Sequence, residues 1–417
     1  MTNAPPPPVP RRGSLLVIFL TVFIDLLGFG MVLPLLPIYA RQFGVGKEGW
    51  IIGLLMASFS AMQFLFAPLW GRLSDRIGRR PVLIIGLAGS TFFYAMFGIA
   101  TIWQSLTWLF ITRIGAGIAG ATISTAQAYI ADVTTVQTRA KGMALIGAAF
   151  GLGFTFGPLI GAAALVFSDD VGTSPWPGYA AAALSGGALL LAIFVLPESL
   201  SDRSQAASRA AVGTSSIRDV FSTPTIAPIL LASFVSVVAF GSFEQTLSLL
   251  LTEETLAFRF QFHQVLLYFA FIGFTLSLAQ GFLVRRLSGR VSEMILAMAG
   301  AVVSILGFGL LAWASREGSV AWLMVASAVE VIGFALITPS LQSLISRRSD
   351  PHKQGGILGI SQSLGSLARI VGPLVSVPLF TYFSPMHPYW AAMGLMAVGL
   401  AILALGGRGG KDHGAAK

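Results

Sequence analysis

Polar residues are so sparse along this chain that long apolar runs, rather than alternation, set its pattern. Twelve runs of eighteen or more residues stand out, at approximately 14–36, 50–70, 82–102, 106–130, 141–165, 178–196, 226–250, 263–284, 292–313, 320–345, 354–382 and 388–406. About 20 residues at ~1.5 Å of rise each cross ~30 Å of hydrocarbon, so each run predicts a transmembrane helix. The first run is too long for a signal peptide and no small-residue cleavage site follows it, so it is read as helix 1. Residues 1–13, with Pro5 to Pro8 in a row, predict a disordered, polyproline-like tail.

Composition agrees with an all-α integral membrane protein. Of 417 residues, 55% are hydrophobic and only 10% charged, with a mean hydropathy of +0.81; soluble domains carry roughly 25% charged residues. Cysteine is absent, which excludes disulfides, thiolate nucleophiles and cysteine-ligated metal. The four histidines (His263, His352, His387, His413) fall near segment ends or in tails, away from any metal cluster.

The basic residues orient the helices. With the N-terminus inside, twenty of the 26 Lys and Arg fall in inner segments, four outside (Arg41, Lys47, Arg259, Arg316) and two within helices. Both termini are therefore expected in the cytoplasm of a multi-pass protein of the cell membrane. The net charge of +9 is read as a topology signal, not a nucleic-acid footprint, because the cations sit in short loops between spans.

The segment 197–225 is rich in Ser, Ala and Arg and divides the chain into halves at 14–196 and 226–406, with a cytoplasmic tail at 407–417. The halves echo each other at an offset near 210–215 residues. Gly28-Phe29-Gly30 matches Ala239-Phe240-Gly241, Gly71-Arg72-Leu73 matches Gly281-Phe282-Leu283, and Gly157-Pro158-Leu159 matches Gly372-Pro373-Leu374. A repeat of six helices places a binding site between the halves near the bilayer midplane, which is transporter architecture.

Several motifs carry a family resemblance. Gly71-Arg72-Leu73-Ser74-Asp75-Arg76-Ile77-Gly78-Arg79-Arg80 resembles the loop that marks the major facilitator superfamily after helix 2. Arg113 to Gly117 in helix 4 resembles the family's RxxxG element, and Gly153, Gly157, Pro158 and Gly161 in helix 5 resemble its antiporter motif. Helix 1, with Asp25 to Gly30 and then Pro34 and Pro37, is similar to drug–proton antiporters of the tetracycline-resistance group; Leu196-Pro197-Glu198 sits where many members leave helix 6. The resemblance spans the whole chain. It implies the major facilitator fold of two six-helix halves, alternating access, and energy from a proton gradient with no cofactor. The implied partners are a small-molecule substrate, protons and the bilayer, for a monomeric transporter that is not an enzyme. One departure stands out: tetracycline pumps of this group carry further ionisable residues in helices 8 and 9. Here helix 9 has no acid beyond Glu293, His263 lies only at the mouth of helix 8, and Arg285 stands where Asp75 would repeat.

Five charges lie within helices: Asp25, Arg113, Glu244, Glu330 and Arg369. At ~2.5–3.5 kcal/mol each, they total roughly 12–17 kcal/mol on insertion scales, so pairing, hydration or function must account for them. Depth predicts that Glu330 pairs with Arg369 and that Arg113 reaches Asp25; with three acids to two arginines, one acid is left over. These five are the proton-coupling candidates. Asp25 leads, because burial disfavours a charged carboxyl while a nearby guanidinium favours it.

Helical spacing groups Arg113, Gly117, Gly120, Ser124 and Gln127 on one stripe of helix 4, and Gln362, Gly365, Arg369, Gly372 and Ser376 on one of helix 11. With Gln63 of helix 2, Phe240 and Glu244 of helix 7, and Tyr268 of helix 8, these predict a wet central cavity. The other reading is that small and hydroxyl residues glue helices together. Gly115 to Gly120 matches GxGxxG, but no strand precedes it, so it is not a dinucleotide site; no GxxxxGK[ST] signals ATP.

In the family, the loop after helix 2 docks on the start of helix 11, here near Gln354, Gly355 and Gly356, and holds the cytoplasmic gate shut. Gly71 permits the approach and Asp75 faces the helix N-terminus. Asp132 is expected to pair with Arg72, Arg76 or Arg79. Together these features point to proton-coupled export of small lipophilic, drug-like compounds. Uptake symport of an organic solute on the same fold, and a non-transporting receptor or scaffold, are the alternatives.

Overall fold

The computed structural model describes residues 12–44, 49–134, 136–166, 174–199, 225–253, 256–349 and 354–406. The 1–13 tail (all but its last two residues), most of the 197–225 linker and the 407–417 tail lie outside the described residues. Among the described residues, twelve helices are long and apolar enough to span a membrane. They are α1 (Leu15–Gln42), α2 (Gly49–Ile77), α3 (Arg79–Ile102), α4 (Leu106–Val133), α5 (Leu145–Leu165) and α6 (Trp176–Phe194). The second half has α7 (Ile226–Thr252), α8 (Phe262–Leu287), α9 (Glu293–Glu317), α10 (Val320–Arg348), α11 (Ile357–Phe383) and α12 (His387–Gly406). No strand occurs among the described residues. The face carrying the 72–80 cations is called the basic face below, and the other the sparse face.

The expected loop at 71–80 is a correction. Nothing in Gly71–Ile77 breaks a helix, so α2 continues through it as two further turns. The chain turns at Gly78 alone, whose φ of 111° a side-chain-bearing residue rarely adopts, and α3 starts at Arg79. In α1, Pro34 and Pro37 each remove a backbone donor, and Leu33–Leu35 tightens to a 3₁₀ turn there.

The halves meet along two helix pairs, α2 with α11 and α5 with α8. At the sparse face they are in close contact. A Cβ on Gly53 of α2 would lie 2.7 Å from the Pro373 carbonyl oxygen of α11, and Gly49 abuts Thr381. The Tyr39 and Phe262 rings, from α1 and α8, are 5.8 Å apart. Near the middle, a Cβ on Gly273 of α8 would come within 2.5 Å of the Phe154 oxygen of α5. Towards the basic face, a Cβ on Gly71 of α2 would meet no described atom within 4 Å. The halves are therefore closed at the sparse face.

Candidate functional site

Asp25 sits where α1 meets α3 and α6. The Ser185 hydroxyl of α6 donates to its Oδ1 at 2.8 Å, and Ser90 of α3 offers a second hydroxyl; both serines are buried. The expected reach of Arg113 to Asp25 is not made. The described ion pairs within 4.0 Å include neither residue. The Arg113 guanidinium is 1% exposed and lies over the Phe59 ring at 4.4 Å and the Phe29 ring at 5.9 Å. Its three nitrogens have no acceptor among the described residues. The aromatic faces of α1 and α2 capture the cation before it reaches the carboxylate, an attraction that strengthens where water is excluded. Tyr94 of α3 stands in the field of both charges, its ring edge 3.2 Å from where a Gly28 Cβ would be.

The helix 5 glycines hold α1 in place. A Cβ on Gly157 would lie 2.6 Å from the Leu27 oxygen, and Gly153 packs on Leu26. Gly161 carries the edge on to Met31 and to Leu266 of the other half. Pro158 lies within α5 beside them. The α4 stripe is largely a packing face. Gly117 and Gly120 press on Phe59 of α2, Gln63 donates to the Gly120 carbonyl at 3.2 Å, and the Ser124 hydroxyl donates to the Ala67 carbonyl at 3.2 Å. Gln63, Ser124 and Gln127 are half-buried.

In the second half the expected Glu330–Arg369 pair is also absent, and the reason is rotational. Glu330 of α10 faces α9, where its Cα and Cβ fill the space beside Gly307 and its side chain lies against Ser304. It is 1% exposed, and its Oε2 has no partner among the described residues. Arg369 of α11 instead shares its field with Glu244 of α7, without an ion pair within 4.0 Å. Its Nη2 donates to the Ser366 hydroxyl at 3.2 Å. Both residues are half-buried, and Gln362, two turns towards the basic face on α11, is exposed. Tyr268 is a further correction: it is buried rather than cavity-lining, its hydroxyl bonded to that of Ser327 at 2.9 Å.

At the basic face the motif residues form a compact network. The Arg79 guanidinium lies 2.6 Å from Asp75 and 3.2 Å from Asp132 and donates to the Ser74 hydroxyl at 2.6 Å. Arg72 and Arg76 are exposed. Glu198 caps α3 from outside the helix: the Arg79 and Arg80 backbone N–H groups donate to its two oxygens at 2.9 and 3.2 Å. Arg80 returns to the α6 carbonyls of Ala192 and Ile193. Helix periodicity gave no signal for this cap, which joins residues about 120 apart. The side chains of Gln354 to Gly356, the expected docking partner of Asp75, lie outside the described residues. No group of three or more metal-ligating side chains occurs among the described residues.

Comparison with known proteins agrees with this architecture. The profile of the Major Facilitator Superfamily matches residues 18–373. The chain is 35% identical to the class C tetracycline resistance protein of Escherichia coli, covering 88% of this chain and 90% of that protein. It is 29% identical to the class B protein of Escherichia coli over 94% of this chain and 93% of that one. The human organic anion transporter MFSD10 superposes with a TM-score of 0.71 at 27% identity, covering 96% of this chain and 100% of that one. A D-xylose–proton symporter, 16% identical with 94% and 97% covered, has a TM-score of 0.75 and shares the fold. With a family profile across most of its length, twelve membrane-length helices and two six-helix halves, the chain belongs to the Major Facilitator Superfamily of membrane transporters.

Proposed function

We propose that this transporter exports small lipophilic, drug-like compounds across a cytoplasmic membrane in exchange for protons, with both termini in the cytoplasm. The observation that carries the reading is Asp25: a carboxylate mid-helix in the membrane, held by hydroxyls of α3 and α6, with no cation within 4.0 Å among the described residues. Such a group is expensive to keep charged in the bilayer, so a proton is its natural counter-ion. The resistance proteins named above support the export direction. In the arrangement closed at the sparse face, the basic face is the cytoplasmic entry, and the gradient alone supplies energy. Arg113, the Arg79 network and the glycine edge of α5 then couple and gate the two states.

The test is reconstitution. Purified protein in proteoliposomes with an imposed pH difference should move protons when a lipophilic substrate is added. Asp25→Asn should abolish that flux while leaving insertion and folding intact. A variant that still concentrates substrate on a pH difference alone would remove Asp25 from the coupling role.

A further inference from the structure

The C-terminal half has a second charged region that the proton reading does not use. Glu244 and Arg369 act on each other through space yet make no ion pair. Two charges held apart without an ion pair offset each other's desolvation only in part, so the arrangement is a costly way to hold two helices together. Their levels can be placed. A Cβ on Gly372 would lie 3.5–3.6 Å from the backbone of Val238, Gly241 and Ser242, so residue 372 is level with that stretch of α7. Both helices run from the basic to the sparse face. Arg369 therefore lies about one turn towards the basic face, and Glu244 about one turn towards the sparse face; at ~1.5 Å per residue their Cα atoms differ in depth by roughly 10 Å. Between these levels Phe240 of α7 stacks on Phe334 of α10, centroids 3.8 Å apart and planes within 10°. Both rings are half-buried. Phe240 and Glu244, one turn apart, share a face of α7.

We propose that Glu244, the Phe240–Phe334 stack and Arg369 form a bipolar recognition site for an elongated aromatic zwitterion. The carboxylate takes the cationic end, the guanidinium takes the anionic end, and the rings take the apolar middle. A substrate with both charges satisfies both protein charges at once; one with a single charge leaves the other desolvated and alone, which is how buried polar groups generate discrimination. The site also fixes a direction: the anionic end points towards the basic face. This inference rests on the chain being a transporter of drug-like compounds, but not on Asp25 as the proton carrier.

The experiment separates the two. The probe is 4′-(aminomethyl)biphenyl-4-carboxylate, compared with its methyl ester (cation only) and its N-acetyl derivative (anion only). Binding to purified wild-type protein is measured by titration calorimetry in detergent with no gradient. The zwitterion should bind at least about ten-fold tighter than either relative, or ~1.4 kcal/mol. Glu244→Gln should erase the advantage over the N-acetyl derivative, and Arg369→Gln the advantage over the ester. Because each comparison is made within one protein, a partly unfolded variant lowers all three affinities without creating this pattern. Asp25→Asn should keep the wild-type ranking whatever it does to proton flux. No measurable zwitterion binding, an equal ranking in the wild type, or a ranking that survives both substitutions overturns the proposal.

Discussion

Arg41 at the end of α1 donates to Glu253 after α7 at 2.9 Å, an ion pair that joins the two halves at the sparse face. The same guanidinium lies 5.9 Å from the ring centroid of Phe380 in α11. One side chain thus reaches both the end of α7 and α11 of the opposite half, above the glycine contacts of α2 with α11.

A latch of this kind should bias the conformational equilibrium without dominating it. The pair is about a quarter exposed, and exposed pairs contribute roughly 0.2–1 kcal/mol. Arg41→Gln should therefore open the sparse face by at most ~5-fold. Since the chain has no cysteine, Thr381→Cys, packed against Gly49, reports this directly. Its labelling by an impermeant thiol reagent should rise in the Arg41→Gln background. An unchanged labelling rate would mean that apolar packing alone closes this face.

The orientation can be tested with the same chemistry. Glu317 and Ser288 are exposed and lie at opposite faces. In intact cells a cysteine at Glu317 should react with the impermeant reagent, and one at Ser288 should react only after lysis. The reverse pattern would invert the topology and, with it, the direction of transport.

Gly78→Ala tests the turn between α2 and α3. At φ 111° a side chain is strained, and the added methyl would strike the Glu198 carboxylate that caps α3. Backbone strain of this type amounts to roughly 1–3 kcal/mol, so the melting temperature should fall. Glu198→Ala should lower it too, by removing the cap. If Gly78→Ala melts like the wild type, the cap does not depend on this backbone geometry.

The twelve spans were legible because apolar length against bilayer thickness is a nearly one-dimensional constraint. The 3₁₀ turn at Pro34 and the break at Gly78 have their cause in residue type, but a loop over 71–80 was expected where α2 continues to Ile77. What the sequence left open was which neighbour each polar residue meets. Depth along a helix follows from counting residues, and it brought Glu330 and Arg369 to similar levels. Rotation then turned Glu330 towards Gly307 and Ser304 of α9, and left Arg369 in the field of Glu244. Arg113 was likewise at a plausible depth for Asp25, but two phenyl rings lie against its guanidinium. The Glu198 cap and the Arg41–Glu253 pair join residues about 120 and 212 positions apart, beyond any periodic signal.

Glu330 yields the sharpest contrast with Asp25. Both are acids within spans, but Glu330 is sealed in the α9–α10 seam, away from the interface of the halves, at 1% exposure. Asp25 is half-buried on α1, a helix that contacts the other half. A proton carrier must be reachable from each side in turn, whereas a carboxyl in a closed two-helix seam has no such access. Glu330→Gln keeps the shape and a hydrogen-bonding end, and should leave pH-driven transport within about two-fold of wild type, or ~0.4 kcal/mol. Glu330→Ala should instead lower stability by ~2–5 kcal/mol through the cavity it leaves between α9 and α10. Loss of pH-driven transport in Glu330→Gln, with folding retained, would make Glu330 a second proton site and require α9 and α10 to part during the cycle.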